Sequence, residues 1–218
     1  MQQFSIVGES VCRVDALPKV TGEAKYADDI VLPGMLYGKI LRSIYPHARI
    51  LNINTEKAQK LAGVRTIVTA KDVPDQKHGT SIRDQGILAR RKVRYAGEPV
   101  AAIAAIDENI AQEALGLIDI EYEELPAVFD PIEAMNPEAP LIHEELSSYK
   151  TFFTRTEKSM TGNINYHGII NHGDINQGFR ESDIIFDDIF KTPKVHQCYL
   201  EPHTAVASFD NSGRVTIW

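Results

Sequence analysis

Residues able to do metal or acid–base chemistry are few in this chain and lie far apart. His196, Glu201 and His203 form the most metal-like group, made of donor types that hold transition metals. On an extended strand Glu201 and His203 share one face and His196 takes the other, so structural hydrogen bonding is expected rather than ligation. His143, Glu144 and Glu145 are contiguous, and Pro140 close by points to a solvated linker segment. Glu98, in Gly97-Glu98-Pro99, could act as a base or pair with Arg94, and the structural pairing is the expected role. Asp28 and Asp29 could bind a cation, but adjacent side chains of an extended segment point apart. Cys12 and Cys198 match no ligand spacing and are expected as free thiols. The sequence has no phosphate-cradling glycine loop, no nucleophile motif and no zinc-spaced Cys/His set. Residue spacing therefore assigns no catalytic, cofactor-binding or metal-binding residue.

The elements that would position such residues centre on the stretch from Val93 to Pro126. Val100 to Ile106 is a short unbroken apolar run between Pro99 and Asp107, the pattern of a strand buried on both faces. Asp107 is placed to cap a helix in which Ile110, Ala111, Ala114, Leu115 and Ile118 recur at helical spacing. From Ile118 the period changes to two, with Ile118, Ile120 and Tyr122 opposite Asp119, Glu121 and Glu123, and Pro126 stops the strand. Strand, helix, strand implies a right-handed crossover within one sheet. Upstream, Pro33-Gly34 suits a turn, Met35 to Ser43 a strand, and Ile50 and Ile53 a second short strand. Thr55 is placed to cap a helix ending at Gly63, and Val64 to Val68 is again a strand. Thr69 to Pro74 suits a capped helical turn, followed by a polar loop over 75–85.

These units predict an α/β (α+β) domain with a mixed sheet and covering helices over residues 1–130. Residues 131–172, with Pro131, Pro137 and Pro140, read as a linker. Residues 173–218 read as the β-rich, incomplete start of a second domain, with a helical patch at Ile175 to Glu181. Strands are expected at Ile184 to Phe190, Val195 to Leu200, Thr204 to Phe209 and Arg214 to Trp218, the last two joined by the Asp210-Asn211-Ser212-Gly213 turn. The final strand has no closing element, as though the chain were cut inside a sheet.

At 218 residues, 43% hydrophobic and 24% charged, the composition is that of a soluble globular protein. No apolar run approaches a bilayer span and the first residues do not resemble an export signal, so a cytoplasmic protein without a membrane anchor is expected. A net charge of −7 disfavours nucleic acid as a partner. Arg90, Arg91, Lys92 and Arg94 are the one basic cluster, expected as a solvated strand edge.

Several motifs then follow one another in register. They are Arg13-Val14-Asp15, Lys19-Val20-Thr21-Gly22, Tyr26-Ala27-Asp28-Asp29-Ile30, Leu32-Pro33-Gly34-Met35-Leu36-Tyr37-Gly38, His47-Ala48-Arg49-Ile50, Gly97-Glu98-Pro99-Val100-Ala101 and Tyr122-Glu123-Glu124-Leu125-Pro126. In this order they resemble the large, molybdenum-binding subunit of the xanthine dehydrogenase and aldehyde oxidase family. Residues 13 to about 130 resemble its α/β hammerhead domain. Gly173-Asp174 through Tyr199-Leu200-Glu201-Pro202-His203 to Trp218 resembles the opening of its molybdopterin-binding domain. One departure is Ile44, where relatives usually carry proline.

The resemblance implies hydroxylation of a carbon beside nitrogen or oxygen in a small heterocycle or aldehyde, with water as oxygen source. It implies molybdopterin with molybdenum in the full enzyme, 2Fe-2S clusters on an iron–sulfur subunit or domain, and in many relatives FAD on a further one. In relatives the cofactor loop and the catalytic glutamate lie beyond the position matching Trp218, so no cofactor is expected on this segment alone. The resemblance also sets Ser81 and Ile82 at the entrance of the substrate channel; relatives carry a bulkier apolar residue at Ser81. The segment is thus expected to act as scaffold, channel wall and docking surface for the rest of the molybdopterin-binding subunit. The alternative is a non-catalytic split subunit that binds a separate molybdopterin-bearing chain.

Overall fold

The computed structural model describes residues 6–152 and 162–218. In chain order its elements are α1 (Ala16–Thr21), β1 (Tyr37–Arg42), β2 (Ala48–Asn54), α2 (Glu56–Gln59), β3 (Val64–Thr69), β4 (Lys92–Val93), β5 (Pro99–Ala105), α3 (Glu108–Gly116), β6 (Asp119–Glu124), α4 (Pro131–Ala134), α5 (Ile175–Glu181), β7 (Ala207–Phe209) and β8 (Val215–Ile217). They fall into two compact units, Gly34–Ile185 and Met1–Pro33 with Phe186–Trp218.

The larger unit is built around β5. Asp107 starts α3 as expected, its Oδ1 accepting hydrogen bonds from the amides of Asn109 (2.8 Å) and Ile110 (3.3 Å). Ala111 and Ala114 are fully buried, because small side chains let α3 lie close on the strands. Ala101 and Ile103 of β5 pack with Ala58, Ala114 and Ile118, and Leu41, Ile53 and Ile67 close that cluster. Val100 points into a second cluster with Ala48, Ala89 and Val93. The run is thus buried on both sides.

Its neighbours differ from those a crossover requires. β5 is the centre of a three-stranded sheet in the order β1-β5-β3, whereas β6 is an edge of another in the order β4-β2-β6. Every pairing among the named strands is antiparallel. Strand–helix–strand here connects two sheets, and the α/β architecture has antiparallel pairs where a mixed sheet was expected. Apolar periodicity fixes which face of a strand is buried and leaves its lateral partner open. The helix before Gly63 is likewise shorter than its pattern: Thr55 makes no capping bond, and Asn54 Oδ1 instead accepts from the Glu56 amide (3.0 Å).

Residues 126–152, which read mostly as linker, fold back on this unit. Asp130 caps α4 through the amides of Ile132 (2.7 Å) and Glu133 (3.3 Å), and a 3₁₀ turn covers Leu146–Ser148. Asn163 donates to the carbonyls of Ala134 and Pro140 (both 3.0 Å) and accepts from the Ile142 amide (3.0 Å). Positions 153–161 of the expected linker lie outside the described residues.

In the smaller unit, β7 and β8 form the expected hairpin. Asp210 Oδ1 accepts from Ser212 N–H, Ser212 Oγ–H and Arg214 N–H at 2.6–3.0 Å, and Gly213 supplies the positive φ of 86° that closes the turn. The strands expected at Ile184 to Phe190 and Val195 to Leu200 are absent from the described structure, and Ile189, Phe190 and Leu200 are exposed. A strand exists only when another strand takes its backbone hydrogen bonds, and no strand among the described residues pairs with 184–200. In the same unit Tyr26 N–H donates to Asp29 Oδ2 (3.0 Å), so Asp29 closes a 3₁₀ turn.

Candidate functional site

Three segments of the larger unit converge at one place: the loop after β3, the turn between β4 and β5, and the returning segment 141–152. The loop opens on Asp72, whose Oδ2 accepts from both the amide and the hydroxyl of Thr69 (2.8 Å each). These bonds hold the Asp72 carboxyl below the usual carboxylate range. The loop narrows where His78 and Gln85 exchange backbone hydrogen bonds (2.8 and 3.1 Å). Gly79 sits inside it at φ 148°, and a Cβ there would come within 1.9 Å of the Ile82 carbonyl oxygen, so only glycine fits.

Beyond that pairing the loop leans on the returning segment. Arg83 N–H donates to Lys150 O (2.9 Å) and Phe152 N–H to Ser81 O (3.3 Å). Ile82 is 7% exposed and packs with Leu146 and Tyr149, each 8% exposed. Lys77 bonds Glu145 (3.2 Å) and lies 4.0 Å from the centre of the Tyr149 ring. Of the two residues expected at a channel entrance, Ser81 is exposed and Ile82 is buried.

The basic cluster is less solvated than expected. Lys92 Nζ donates to Glu144 Oε1 (2.7 Å), and its side chain is 9% exposed. Arg94 donates from Nε to the Ile142 carbonyl (3.1 Å). Arg90 keeps to the surface with Val73 O and Asp75. Local sequence makes Lys92 and Arg94 look like a bare strand edge because it cannot show that 141–145 returns across them. Glu144 and Glu145 are solvent-exposed as expected, at 58% and 57% of their side chains, yet each pairs with a lysine of 77–92, and His143 is half-buried beside Tyr149.

A cavity of about 290 Å³ lies at the meeting point, lined by His78, Asp84, Ile87, Arg94, Glu98 and His143 among others. Glu98 Oε2 accepts from the Arg94 amide (2.6 Å), so Glu98 pairs with the backbone of Arg94 rather than its guanidinium. Burial raises the Glu98 carboxyl above its ordinary value despite that bond. His143 Nδ1 lies 3.1 Å from the Tyr149 hydroxyl, with the two rings edge to face. Burial, aided by the charge of Arg94, pushes the His143 imidazole down to about 4, so it is neutral at pH 7. The cavity lining therefore includes a neutral imidazole, a guanidinium and two carboxyl groups, which can orient a small polar ligand.

The remaining predicted groups do not join it. His196 and His203 both lie against the Tyr199 ring, at centroid distances of 5.8 and 5.0 Å. The Cys198 amide donates to His196 Nδ1 (3.0 Å), the structural hydrogen bonding expected of this histidine. Among the described residues no group of three or more His, Cys, Asp and Glu is arranged to hold a metal ion, and no helix is long and apolar enough to cross a membrane. Residues 186–205 are exposed throughout and bury no polar side chain that would hold a pterin. Cys12 and Cys198 are free and exposed. Leu146, Tyr149 and Lys77 escape the sequence reading; the signal that could have found them is the acidic pair Glu144-Glu145, complementary to the basic run at 90–94.

Comparisons with known proteins agree with this architecture. Residues 21–126 match the family model "Aldehyde oxidase and xanthine dehydrogenase, a/b hammerhead domain", and residues 157–218 match "Molybdopterin cofactor-binding domain". A probable xanthine dehydrogenase subunit of Bacillus subtilis is 41% identical over 94% of this chain and 26% of its own length. The nicotinate dehydrogenase large molybdopterin subunit of Eubacterium barkeri is 32% identical over 99% of this chain and 47% of its own. The solved structure of a reconstituted CO dehydrogenase from Oligotropha carboxidovorans superposes with a TM-score of 0.80 at 34% identity, covering 97% of this chain and 27% of that one. The chain thus spans between about a quarter and a half of the proteins it matches.

Proposed function

The chain belongs to the xanthine dehydrogenase and aldehyde oxidase family, as a segment of its molybdopterin-binding large subunit, and we propose that it serves a molybdenum-dependent hydroxylase as scaffold, channel wall and docking surface. The observation that carries this reading is the succession of two family domains in one chain, in the order the large subunit needs. In the proposed reaction a C–H bond of the substrate becomes C–OH, water gives the oxygen, and two electrons and two protons leave. The molybdenum–pterin group, when bound, supplies the oxidising power for that step. The exposed residues 186–205 do not by themselves fit that group.

What this segment contributes is position. The strands β3 and β4 anchor the two ends of the stretch that holds the loop 75–85, and Ser81 and Ile82 stand at the channel entrance in this reading. The substrate is a small heterocycle or aldehyde; the relatives' names span xanthine, nicotinate and carbon monoxide. Partners are an iron–sulfur subunit, a flavin subunit, and the remainder of the molybdopterin-binding subunit, which would cover the exposed apolar residues of 184–200. Residues 1–130, 131–172 and 173–218 are the proposed hammerhead domain, connector and incomplete second domain, and the enzyme works in the cytoplasm.

A second reading, a non-catalytic split subunit, has one observation in its favour. The segment is nearly half of the Eubacterium barkeri subunit but about a quarter of the Bacillus subtilis one, so the molybdopterin-binding part is carried on chains of different length. Pull-down of the native product from its source cells, with its mass, molybdenum and iron measured together, tests both readings. A single much longer chain containing molybdenum is expected. A native chain of 24.3 kDa without metal, accompanied by a larger molybdenum-bearing chain, would establish the split form instead.

A further inference from the structure

We infer that residues 141–152 are a clamp that sets the position of the channel loop, with Leu146 and Tyr149 as positioning residues, Ile82 as the bolt they hold, and Ser81 as the side chain presented to substrate. This rests on the proposal that the loop borders the channel. The clamp itself stands on the contacts. One end is fixed to the sheet edge: Lys92 bonds Glu144 (2.7 Å) and Arg94 bonds the Ile142 carbonyl (3.1 Å). The other end grips the loop: Arg83 N–H to Lys150 O (2.9 Å), Phe152 N–H to Ser81 O (3.3 Å), and the Arg83 guanidinium 5.0 Å from the centre of the Phe152 ring. Between them Ile82 is buried against Leu146 and Tyr149.

The loop's own cross-bonding is the His78–Gln85 pair, four residues before Ile82 and three after it. An eight-residue span with one backbone pairing does not bury an isoleucine by itself, since ordering each residue costs about 1–2 kcal/mol of conformational entropy. The clamp supplies the missing contacts. It also lies between the two matched domains, which end at residue 126 and resume at residue 157. A segment that belongs to neither domain pattern would thus tune selectivity without touching the substrate.

The test uses the full-length enzyme with its metal and partner chains. Ser81→Trp is the control for the channel itself. It should change the kcat/KM ratio between an aliphatic aldehyde and a two-ring heterocycle by about tenfold or more, through a side chain that narrows the entrance. Leu146→Ala should move the same ratio by about threefold or more, mainly through KM, and speed hydrogen exchange at the Arg83 and Phe152 amides by about tenfold. Leu146→Met should restore both, and Leu146→Val gives a milder version should the alanine variant fail to fold. If Ser81→Trp leaves the ratio unchanged, the channel reading fails and the clamp has nothing to position. If Ser81→Trp acts but Leu146→Ala or Leu146→Val leaves either the ratio or the amide exchange unchanged, the channel stands and the clamp is refuted.

Discussion

Residues 141–152 and residues 184–200 use similar side chains to opposite ends. In the first, Leu146 and Tyr149 are more than nine-tenths buried, and charged neighbours are paired: Glu144 with Lys92, Glu145 with Lys77. In the second, Ile184, Phe186, Ile189, Phe190, Val195 and Leu200 are all well exposed. The second stretch is richer in apolar surface, yet it buries almost none of it. Hydrophobicity supplies a driving force, and structure follows only where another surface is within reach to receive it. The first segment has the edge of β4 and the loop at 77–83; the second has no receiving strand among the described residues.

The largest break in that contrast comes from the receiving surface. Ile103 is 2% exposed at the centre of β5, between α3 and the flanking strands. Ile103→Ala should lower unfolding stability by about 3–4 kcal/mol, the lost transfer energy plus the cavity left among side chains that cannot collapse. Urea unfolding of the 218-residue chain measures it. A loss below about 1 kcal/mol would mean that β5 is not the core the packing describes.

The clamp side of the contrast is sharpened by pH. His143 has its ordinary value, 6.5, in the unfolded chain and about 4 when folded, because burial and then the Arg94 charge disfavour its charged form. Asp84 opposes that shift, while Lys77 and Lys92 add to it. Between these values the unfolded chain binds a proton that the folded one refuses. Stability is therefore lost as pH falls from about 6.5 to about 4 and levels off below, by at most about 3.5 kcal/mol at about 1.4 kcal/mol per unit, and by less where solvent reaches the ring. His143→Gln, which cannot titrate, should remove that component from the difference between the two pH–stability profiles. Profiles that stay parallel across this window would show that the histidine is solvated.

The same contrast explains what the sequence discloses. Asp107 as a cap, the helical run through Ala114, and the Asp210 turn are legible because each is decided within a few residues. The membership of β6 in a different sheet from β5 is not, since period-two alternation names a face and not a neighbour. Thr55 and Asn54 are both good caps one residue apart, and only the backbone decides that Asn54 bonds Glu56. Lys92 looks like a surface lysine until Glu144, fifty-two positions later, returns to cover it. Ser81 and Ile82 are reached through resemblance; their opposite burial depends on Leu146 and Tyr149, which no local pattern links to the loop.

The smallest effect tests the unreceived side. Phe190 is 91% exposed, so in the 218-residue chain Phe190→Ser removes almost no buried area. Its unfolding stability should change by less than about 0.5 kcal/mol, the range of ordinary surface substitutions. Concentration-dependent self-association, followed by sedimentation or light scattering, should fall, because the exposed Phe190 ring adds to the adhesive apolar surface of Phe186 and Ile189 in the same unit. In the longer subunit of the proposed enzyme the expectation reverses. There a downstream strand would receive this stretch, and loss of the ring would cost about 3–5 kcal/mol, as for other buried aromatics. The difference between the two measurements is the folding energy that the Phe190 ring gains from its surroundings in the longer subunit. An equal, near-zero effect in both would leave Phe190 as a surface residue of the complete enzyme and point to a partner subunit as its cover.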